Sequence, residues 1–552
     1  MISLRYFLGF VLWSLLNPVS PAAERPNILW ITSEDNAAHW LGCYGNAQAA
    51  TPRLDRLAAE GLRFTRAYSN APVCAVARST ILMGAYAPTM GTQHMRSRHP
   101  IPADFVPYVT ILRKAGYYCV NRSKTDYNFR GQDTALWDDC SGKAHYRRRA
   151  AGQPFMAVIN LTTTHESGLF PDQIRRNRAV GMIPKTPRVP PAEVALPPSL
   201  PDLPEIRADA AVYHDLVSAM DRQVGELLDE LERAGLAEDT VVFYYSDHGG
   251  ALPRSKRFLE DSGVRVPLLI RIPEKFRHLS PWKPGEVIDE AVAFVDFAPT
   301  LLSLTGLSAP ESTQGRAFLG PDRVPARKFE FLYGDRFDEN PGMRRGLTDG
   351  RFKYIRCFTP HLHRPPFCQY PLGQGAWQAW KSAASEGRLE KGYHLDLMTR
   401  PLPVEALFDL ESDPWEIRNL AADPRHAEIL KEMRDQLQTQ MIGTRDTGVV
   451  PEALWKEMAG EKPIREIILA AGKTHDRWVE LAFQATAVEW DPSIIDALES
   501  ESPVERHWAI LACHLHPEES RRFLPLLEKR KEDASPHLQS SARSAIAAIL
   551  DP

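Results

Sequence analysis

Four short apolar runs, each stopping on residues able to do chemistry, constrain this chain more than anything else in it. NILWITSED stops on Glu34 and Asp35, GYYCVNRSKTD on Lys124 and Asp126, PFMAVINLTTTHE on His165 and Glu166, and TVVFYYSDHGG on Asp247 and His248. Each run has the length of one strand buried on both faces. Between them lie stretches with apolar residues at helical spacing, such as TPRLDRLAAEGL and VYHDLVSAMDRQVGELLDELERAG. Strands alternating with helices predict an α/β fold on a mostly parallel sheet. Open sheets of this kind bind ligands at the carboxyl ends of their strands. The four polar endings are therefore expected to face one cleft.

The acids of that cleft suit a divalent cation. Glu34 and Asp35 at one strand end and Asp247 and His248 at another offer three carboxylates and one imidazole. Carboxylates favour a hard ion such as Ca2+ or Mg2+, and the histidine also tolerates a softer one. Its cations suit an oxyanion, because Arg78, Lys124, His165 and Lys256 lie in or just after the same segments. In APVCAVARSTILMG, Cys74 precedes an Ala-rich helical pattern and Arg78 falls one turn on, on the same face. A sulfur at the positive end of a helix is favoured as an anion. On these residues alone, Cys74 is either a buried packing residue beside a structural arginine or a reactive group.

Past about residue 320 the character changes. RRGLTDGRFKYIRCF and EALFDLESDPWEIRNL read as short strands with turns, and AEILKEMRDQLQTQM as a helix. From about residue 463 the pattern is helical throughout. SPVERHWAILAC and SPHLQSSARSAIA share a Ser-Pro start, at an offset inside the roughly 30–50-residue range of helical repeats. The expected division is a leader at 1–23, a catalytic α/β unit at 24–325, an α+β subdomain at 326–445 and a HEAT-like helical region at 446–552. The leader rests on Arg5, an apolar stretch from Tyr6 to Leu16 and a small-residue site at Ser20-Pro21-Ala22, and it predicts export to the periplasm or the cell exterior. No later segment is apolar enough to span a membrane. A net charge of −4 gives no reason to expect nucleic acid or an anionic membrane as partner. The seven cysteines leave at least one thiol unpaired, and Cys119 with Cys140 and Cys357 with Cys368 are close enough in sequence to bridge.

Taken in order, RPNILWITSEDN, the long segment from GCYGNAQAATPRLDRLAAEGLRF through APVCAVARSTILMG to GTQHMRS, LRKAGYYCVNRSK, FYYSDHGG, KRFLEDSGVRVPLLIRIP, VDFAPTLLSLTGL, LTDGRFKYIRCF and ALFDLESDPWEIRNLA resemble the formylglycine-dependent type I sulfatases of the alkaline phosphatase superfamily. The resemblance covers about residues 25 to 440. It implies an alkaline-phosphatase-like sandwich with a central mixed, mostly parallel sheet and a smaller C-terminal α+β subdomain. Cys74 would be oxidised to formylglycine by a formylglycine-generating enzyme, and its hydrate would attack sulfur. Glu34, Asp35, Asp247 and His248 would hold Ca2+ together with the modified Cys74. Arg78 would stabilise the hydrate, Lys124 and Lys256 would hold sulfate oxygens, and His165 would protonate the leaving group. GTQHMRS and YGDRFDE are more similar to the sulfamidase and heparan-sulfatase branch, which makes His94, Arg96, Asp335 and Arg336 candidates for substrate contact. The resemblance implies hydrolysis of a sulfuric ester on a sulfated glycan, with an N-sulfoglucosamine sulfamidase as the nearest variant.

Three positions depart from the family pattern. Val76 stands where the maturation signature Cys-x-Pro-x-Arg has proline, Asp126 where Lys-x-His has histidine, and Glu34 where aspartate is usual. The first two motivate a second expectation, a pseudo-sulfatase that binds sulfated polysaccharide without turnover. A phosphatase or phosphodiesterase on the same scaffold is a third, and would show two metals. The helical tail is expected to serve as a scaffold or to bind a protein partner or another copy.

Overall fold

The computed structural model describes residues 25–131, 134–362 and 368–551; the expected leader lies outside them. Its thirteen strands are β1 (Asn27–Ser33), β2 (Leu62–Phe64), β3 (Ala67–Tyr68), β4 (Tyr118–Arg122), β5 (Phe155–Leu161), β6 (Thr240–Ser246), β7 (Leu268–Arg271), β8 (Val287–Ile288), β9 (Val292–Ala293), β10 (Glu330–Gly334), β11 (Arg344–Thr348), β12 (Phe352–Cys357) and β13 (Glu405–Asp409). The central sheet runs β4-β5-β1-β6-β7-β2-β8. β4, β5, β1 and β6 are mutually parallel, and β7 turns the sheet mixed by pairing antiparallel with both β6 and β2. The four apolar runs of the sequence are these four neighbouring parallel strands.

Alternation along β1 explains the three layers. Leu29 and Ile31 pack, with Val242 and Tyr244 of β6, against the long helix Pro204–Arg233 through Val212, Leu216 and Val217. Ile28 and Trp30 face the other way, onto Ala77, Ile81 and Leu82 of the helix Cys74–Met83 and onto Leu301 and Leu302 of the helix Phe297–Leu304. Trp30 is fully buried there, with ring centroids 5.4–5.8 Å from Tyr108, Tyr245 and Phe297. A fully buried tryptophan of this kind is a major share of one core face. The helix Cys74–Met83 ends at Gly84, whose φ of 63° lets its N–H close on Thr80. A side chain there would sit strained and 3.1 Å from Ala298 Cβ.

β10 to β13 form a separate antiparallel sheet. Leu332, Tyr354 and Leu407 from it share one core with Leu437 of the helix Ala427–Thr444 and with Val504, Trp508, Leu538 and Ala542 of the tail. Both Ser-Pro sites open helices, Pro503–Leu515 and Pro536–Leu550, and these two pack on each other. The segments between them are a four-residue helix, a 3-10 turn and a seven-residue helix. The buried Arg345 of β11 ties sheet to tail, pairing with Asp335 at 2.9 Å and with Asp446 at 2.6 Å. All seven cysteines are free thiols. Neither pairing the spacing allowed is formed: Cys119 Sγ donates to the Tyr117 carbonyl, Cys140 Sγ accepts from Asn121, and Cys368 Sγ donates to the Phe337 carbonyl. Among the described residues no helix is long and apolar enough to cross a membrane.

Several histidines are buried as neutral imidazoles, and this sets the acid limit of the fold. Burial pushes His94 down to about 3, and burial with nearby cations or a second histidine pushes His214 and His361 to about 4. Each is depressed below the ordinary value near 6.5, so its stabilising share is complete above that value and is lost as pH falls toward 4. At pH 5 each costs about 1–2 kcal/mol relative to pH 7. The melting temperature is expected to be lower at pH 5 than at pH 7 by roughly 5 °C. A His214→Gln variant should show a smaller fall, and an equal fall would remove His214 from this account.

Candidate functional site

Because β4, β5, β1 and β6 run parallel side by side, their carboxyl ends share one edge, and the helix Cys74–Met83 aims its N-terminus at that edge. Cys74 is its first residue, fully buried, after an extended Val73 (φ −146°, ψ 144°). Its Sγ stands 3.2 Å from Asp126 Oδ2 and 4.0 Å from Arg96 Nη2. Arg78, one turn on, donates to Asp247 Oδ2 at 3.0 Å, to Glu34 Oε1 at 3.4 Å and to Asn160 Oδ1 at 2.6 Å. Lys124 Nζ pairs with Glu34 Oε1 at 2.8 Å.

A second cation sits deeper. Lys256, from the turn between β6 and β7, lies 3.0 Å from both Asp35 Oδ2 and Glu166 Oε1, and 3.3 Å from His165 Nε2. The turn that delivers it is closed by Gly249, where a Cβ would fall 2.0 Å from the Ser262 carbonyl oxygen. Glu166 is further held by a bidentate pair with Arg257, which also grips Asp338. Asp35, Arg96, Asp126, Arg257 and Asp338 all hold left-handed φ values between 49° and 75°. Each costs of order 1–3 kcal/mol. Such strain, gathered around one cleft, is held in place by the surrounding network.

The electrostatics follow from these contacts. Burial alone would neutralise Asp35, yet Lys256, His165 and His248 hold its carboxyl well below the usual range. Burial opposes charge on His248 too, but Asp247 and Asp35 raise it to about 9. His165 is lowered by burial and by the ammonium of Lys256, against the pull of Asp35, Glu34 and Glu166. Asp126 is lowered despite its burial, because Lys124 and Arg96 flank it.

One group here fits a cation. Asp35, Asp247 and His248 bring ligand atoms within 4.8 Å of one another. His248 Nε2 is buried with no hydrogen-bond partner, although it stands 3.0 Å from Asp35 Oδ1, while Nδ1 lies 3.1 Å from the Gly249 carbonyl. A buried imidazole tethered at Nδ1, with Nε2 facing two carboxylates, has the posture of a metal ligand. A second group, Asp35 with His165 and Glu166, is equally close, but the Lys256 ammonium already stands among all three. Glu34, also expected among the ligands, pairs with Lys124 and with Arg78, whose Nη2 it shares with Asp247.

The other sequence candidates divide in two. Arg96 is at the mouth, half-exposed and next to Cys74. Asp335 and Arg336 are not in this cleft. Asp335 is buried against Arg345, and Arg336 pairs with Glu452 at 2.6 Å, beside His94, whose Nδ1 lies 3.6 Å from the same carboxylate. Sequence reasoning passed over Asn160, Arg257 and Asp338. Of these only Asn160 carried a signal, as a polar residue inside an otherwise apolar strand.

The family model described as Sulfatase matches residues 26–136 and 118–307. An ulvan-active sulfatase of Formosa agariphila is 37% identical over 468 residues, covering 78% of this chain and 77% of that protein. The N-sulphoglucosamine sulphohydrolase of Homo sapiens is 26% identical over 492 residues, covering 80% and 96%. A solved structure in complex with its substrate D-glucosamine-2-N,6-O-disulfate shares the fold, with a TM-score of 0.56 at 17% identity over 76% of this chain and 98% of that one. The matched stretch carries Cys74 and all four strand ends, and on these grounds the chain belongs to the sulfatase family, the hydrolases of sulfuric esters.

Proposed function

We propose that this protein is an exported sulfatase that removes sulfate from a sulfated glycan, using a formylglycine derived from Cys74 and a bound Ca2+. The observation that carries the reading is the convergence on Cys74 of a buried histidine, two acids and the cations Arg78, Lys124 and Lys256. The relatives named above, active on ulvan and on N-sulphoglucosamine, support a glycan as substrate. The catalytic unit is assigned to 24–325, with the subdomain at 326–445 and the helical region at 446–552.

Asp35, Asp247 and His248 would hold the ion, with Glu34 and the modified Cys74 adjoining. The ion supplies positive charge against the sulfate, and formylglycine supplies an oxygen nucleophile in its hydrated form. The chain's own residues do the rest. Lys124 and Lys256 are charged at neutral pH and flank the space beside Cys74, so they offset charge on a sulfate oxygen. Asp126 accepts a hydrogen bond from the residue-74 side chain where a histidine would donate one. His165 is held by Ser167 at Nδ1, 2.8 Å away, and presents Nε2 toward Lys256, the position from which a proton is passed to a departing alcohol. Arg96 meets the sugar at the mouth.

Val76 favours a second reading, binding of sulfated polysaccharide without turnover, because a maturing enzyme that reads proline meets valine there. Mass spectrometry of the tryptic peptide AYSNAPVCAVAR from the native host separates the two. The expected product is the aldehyde or its hydrate at position 74. An unmodified thiol throughout the folded protein would remove the sulfatase mechanism and leave the binding reading.

A further inference from the structure

A cavity of about 460 Å3 opens between the β10–β13 sheet and the helical tail, with His94 and Arg336 on one wall and helices Pro503–Leu515 and Pro536–Leu550 on the other. Its size falls inside the roughly 300–1,000 Å3 range of small-molecule sites. One loop links it to the cleft. The Met95 N–H donates to the Arg336 carbonyl, and the same short loop sends Arg96 toward Cys74 and His94 into the cavity wall. His94 is 5% exposed, and neither ring nitrogen makes a hydrogen bond, although Glu452 stands 3.6 Å from Nδ1.

The lining decides the ligand. The charges cancel internally: Arg336 is spent on Glu452, and Asp335 on Arg345. What remains on the tail side is imidazole and hydroxyl set around the apolar Trp508, Ile510 and Leu511. His507 and His537 stand 3.2 Å apart at facing ring nitrogens, the His361 and His514 rings are 5.0 Å apart, and Ser544 Oγ lies 3.5 Å from His514 Nδ1 beside Ser541. Burial lowers all four histidines, so at neutral pH they are uncharged, and His507, His514 and His537 each keep one ring nitrogen that these contacts do not use. Serine hydroxyls both give and accept hydrogen bonds. Among the described residues, hydrogen-bonding groups without net charge around an apolar floor match the hydroxyls and the C–H face of a sugar ring better than a second sulfate. No three of these imidazoles form a ligand set for a metal among the described residues.

We propose that this cavity is a second sugar subsite, which takes a hydroxyl-presenting, unsulfated ring of the same glycan whose sulfate is bound at Cys74. The proposal rests on the reading of the chain as a glycan sulfatase, and it gives the helical tail a role in choosing polymer over small ester. The test compares kcat/KM on 4-nitrophenyl sulfate with kcat/KM on sulfated tetrasaccharides prepared from ulvan and from heparin. It uses the full-length protein and the variants Ser541→Trp, which fills the cavity, and His514→Ala, which is mild enough to preserve packing. For at least one tetrasaccharide, kcat/KM should fall at least 20-fold in Ser541→Trp and about 5-fold in His514→Ala, mainly through KM. The aryl sulfate should stay within about 2-fold, with unchanged melting. Parallel changes on both substrate types, or none in His514→Ala, would overturn the subsite. Calorimetric titration of the desulfated tetrasaccharides into the Cys74→Ala protein gives a readout without turnover. Binding that Ser541→Trp removes supports the subsite even if the wild type cleaves no sulfate, in which case it is the sulfatase reading that fails. Binding of neither desulfated probe would overturn it.

Discussion

Cys74→Ala should abolish hydrolysis of 4-nitrophenyl sulfate, by at least about 10^4-fold in kcat, while shifting stability by only about 1–2 kcal/mol. The large kinetic effect follows from position. Residue 74 is the only nucleophilic side chain at the head of the buried helix, and Arg78, Lys124, His248 and Asp126 are all arranged around it. The small effect on stability follows from chemistry, since the substitution removes one sulfur from the start of a helix whose alanine propensity is high. Steady-state rates and a denaturant titration check both halves. Retention of more than about 1% of the wild-type rate would place the nucleophile elsewhere.

Lys256→Met should have the largest effect on stability, and its size should depend on calcium. Lys256 is buried between Asp35 and Glu166. Deleting its charge leaves buried carboxylates uncompensated, a loss of about 3–5 kcal/mol. Arg257 still grips Glu166, so Asp35 carries most of the penalty. A divalent ion held by Asp35, Asp247 and His248 would supply the missing charge, so the loss should be smaller in millimolar Ca2+ than in EDTA. Turnover should fall by about 10^2–10^4-fold in either case, because a fixed cation beside the sulfate is gone. Denaturation midpoints with and without calcium read the difference. Equal losses in the two conditions would mean that the ion does not bind at Asp35.

Much of this was legible in the sequence because the informative residues sit where a periodicity ends. β1, β4, β5 and β6 are largely buried, so they read as mostly apolar runs, and charged residues or histidines within a few positions of each run's end belong to the cleft. The antiparallel sheet was legible for a similar reason, through the turns at LTDGR and LESDP. What failed to read was direction. Glu34 and Asp35 are adjacent, yet Glu34 pairs with Lys124 and Arg78 and Asp35 with Lys256, and of the two Asp35 falls in the close group with Asp247 and His248. Asp335 and Arg336 were candidates through the resemblance of YGDRFDE to one branch of the family, and they lie outside the Cys74 cleft. Their partners, Arg345 and Glu452, stand 10 and 116 residues away in the chain, which no local pattern reports. Arg257 and Asp338 escaped for the same reason. The cysteine spacing allowed bridges, yet each thiol has a local hydrogen-bond partner or a core position instead.

The ammonium of Lys256 on Asp35 and that of Lys124 on Glu34 bear on the order in which the protein is made. A cleft whose acids lacked internal counter-charges would stay open, or misfold, until an ion arrived. Here the chain carries its own counter-charges, so its core can close before any ion is bound. A Ca2+ held at Asp35, Asp247 and His248 would then add to these cations, and the timing of folding would be uncoupled from the supply of metal.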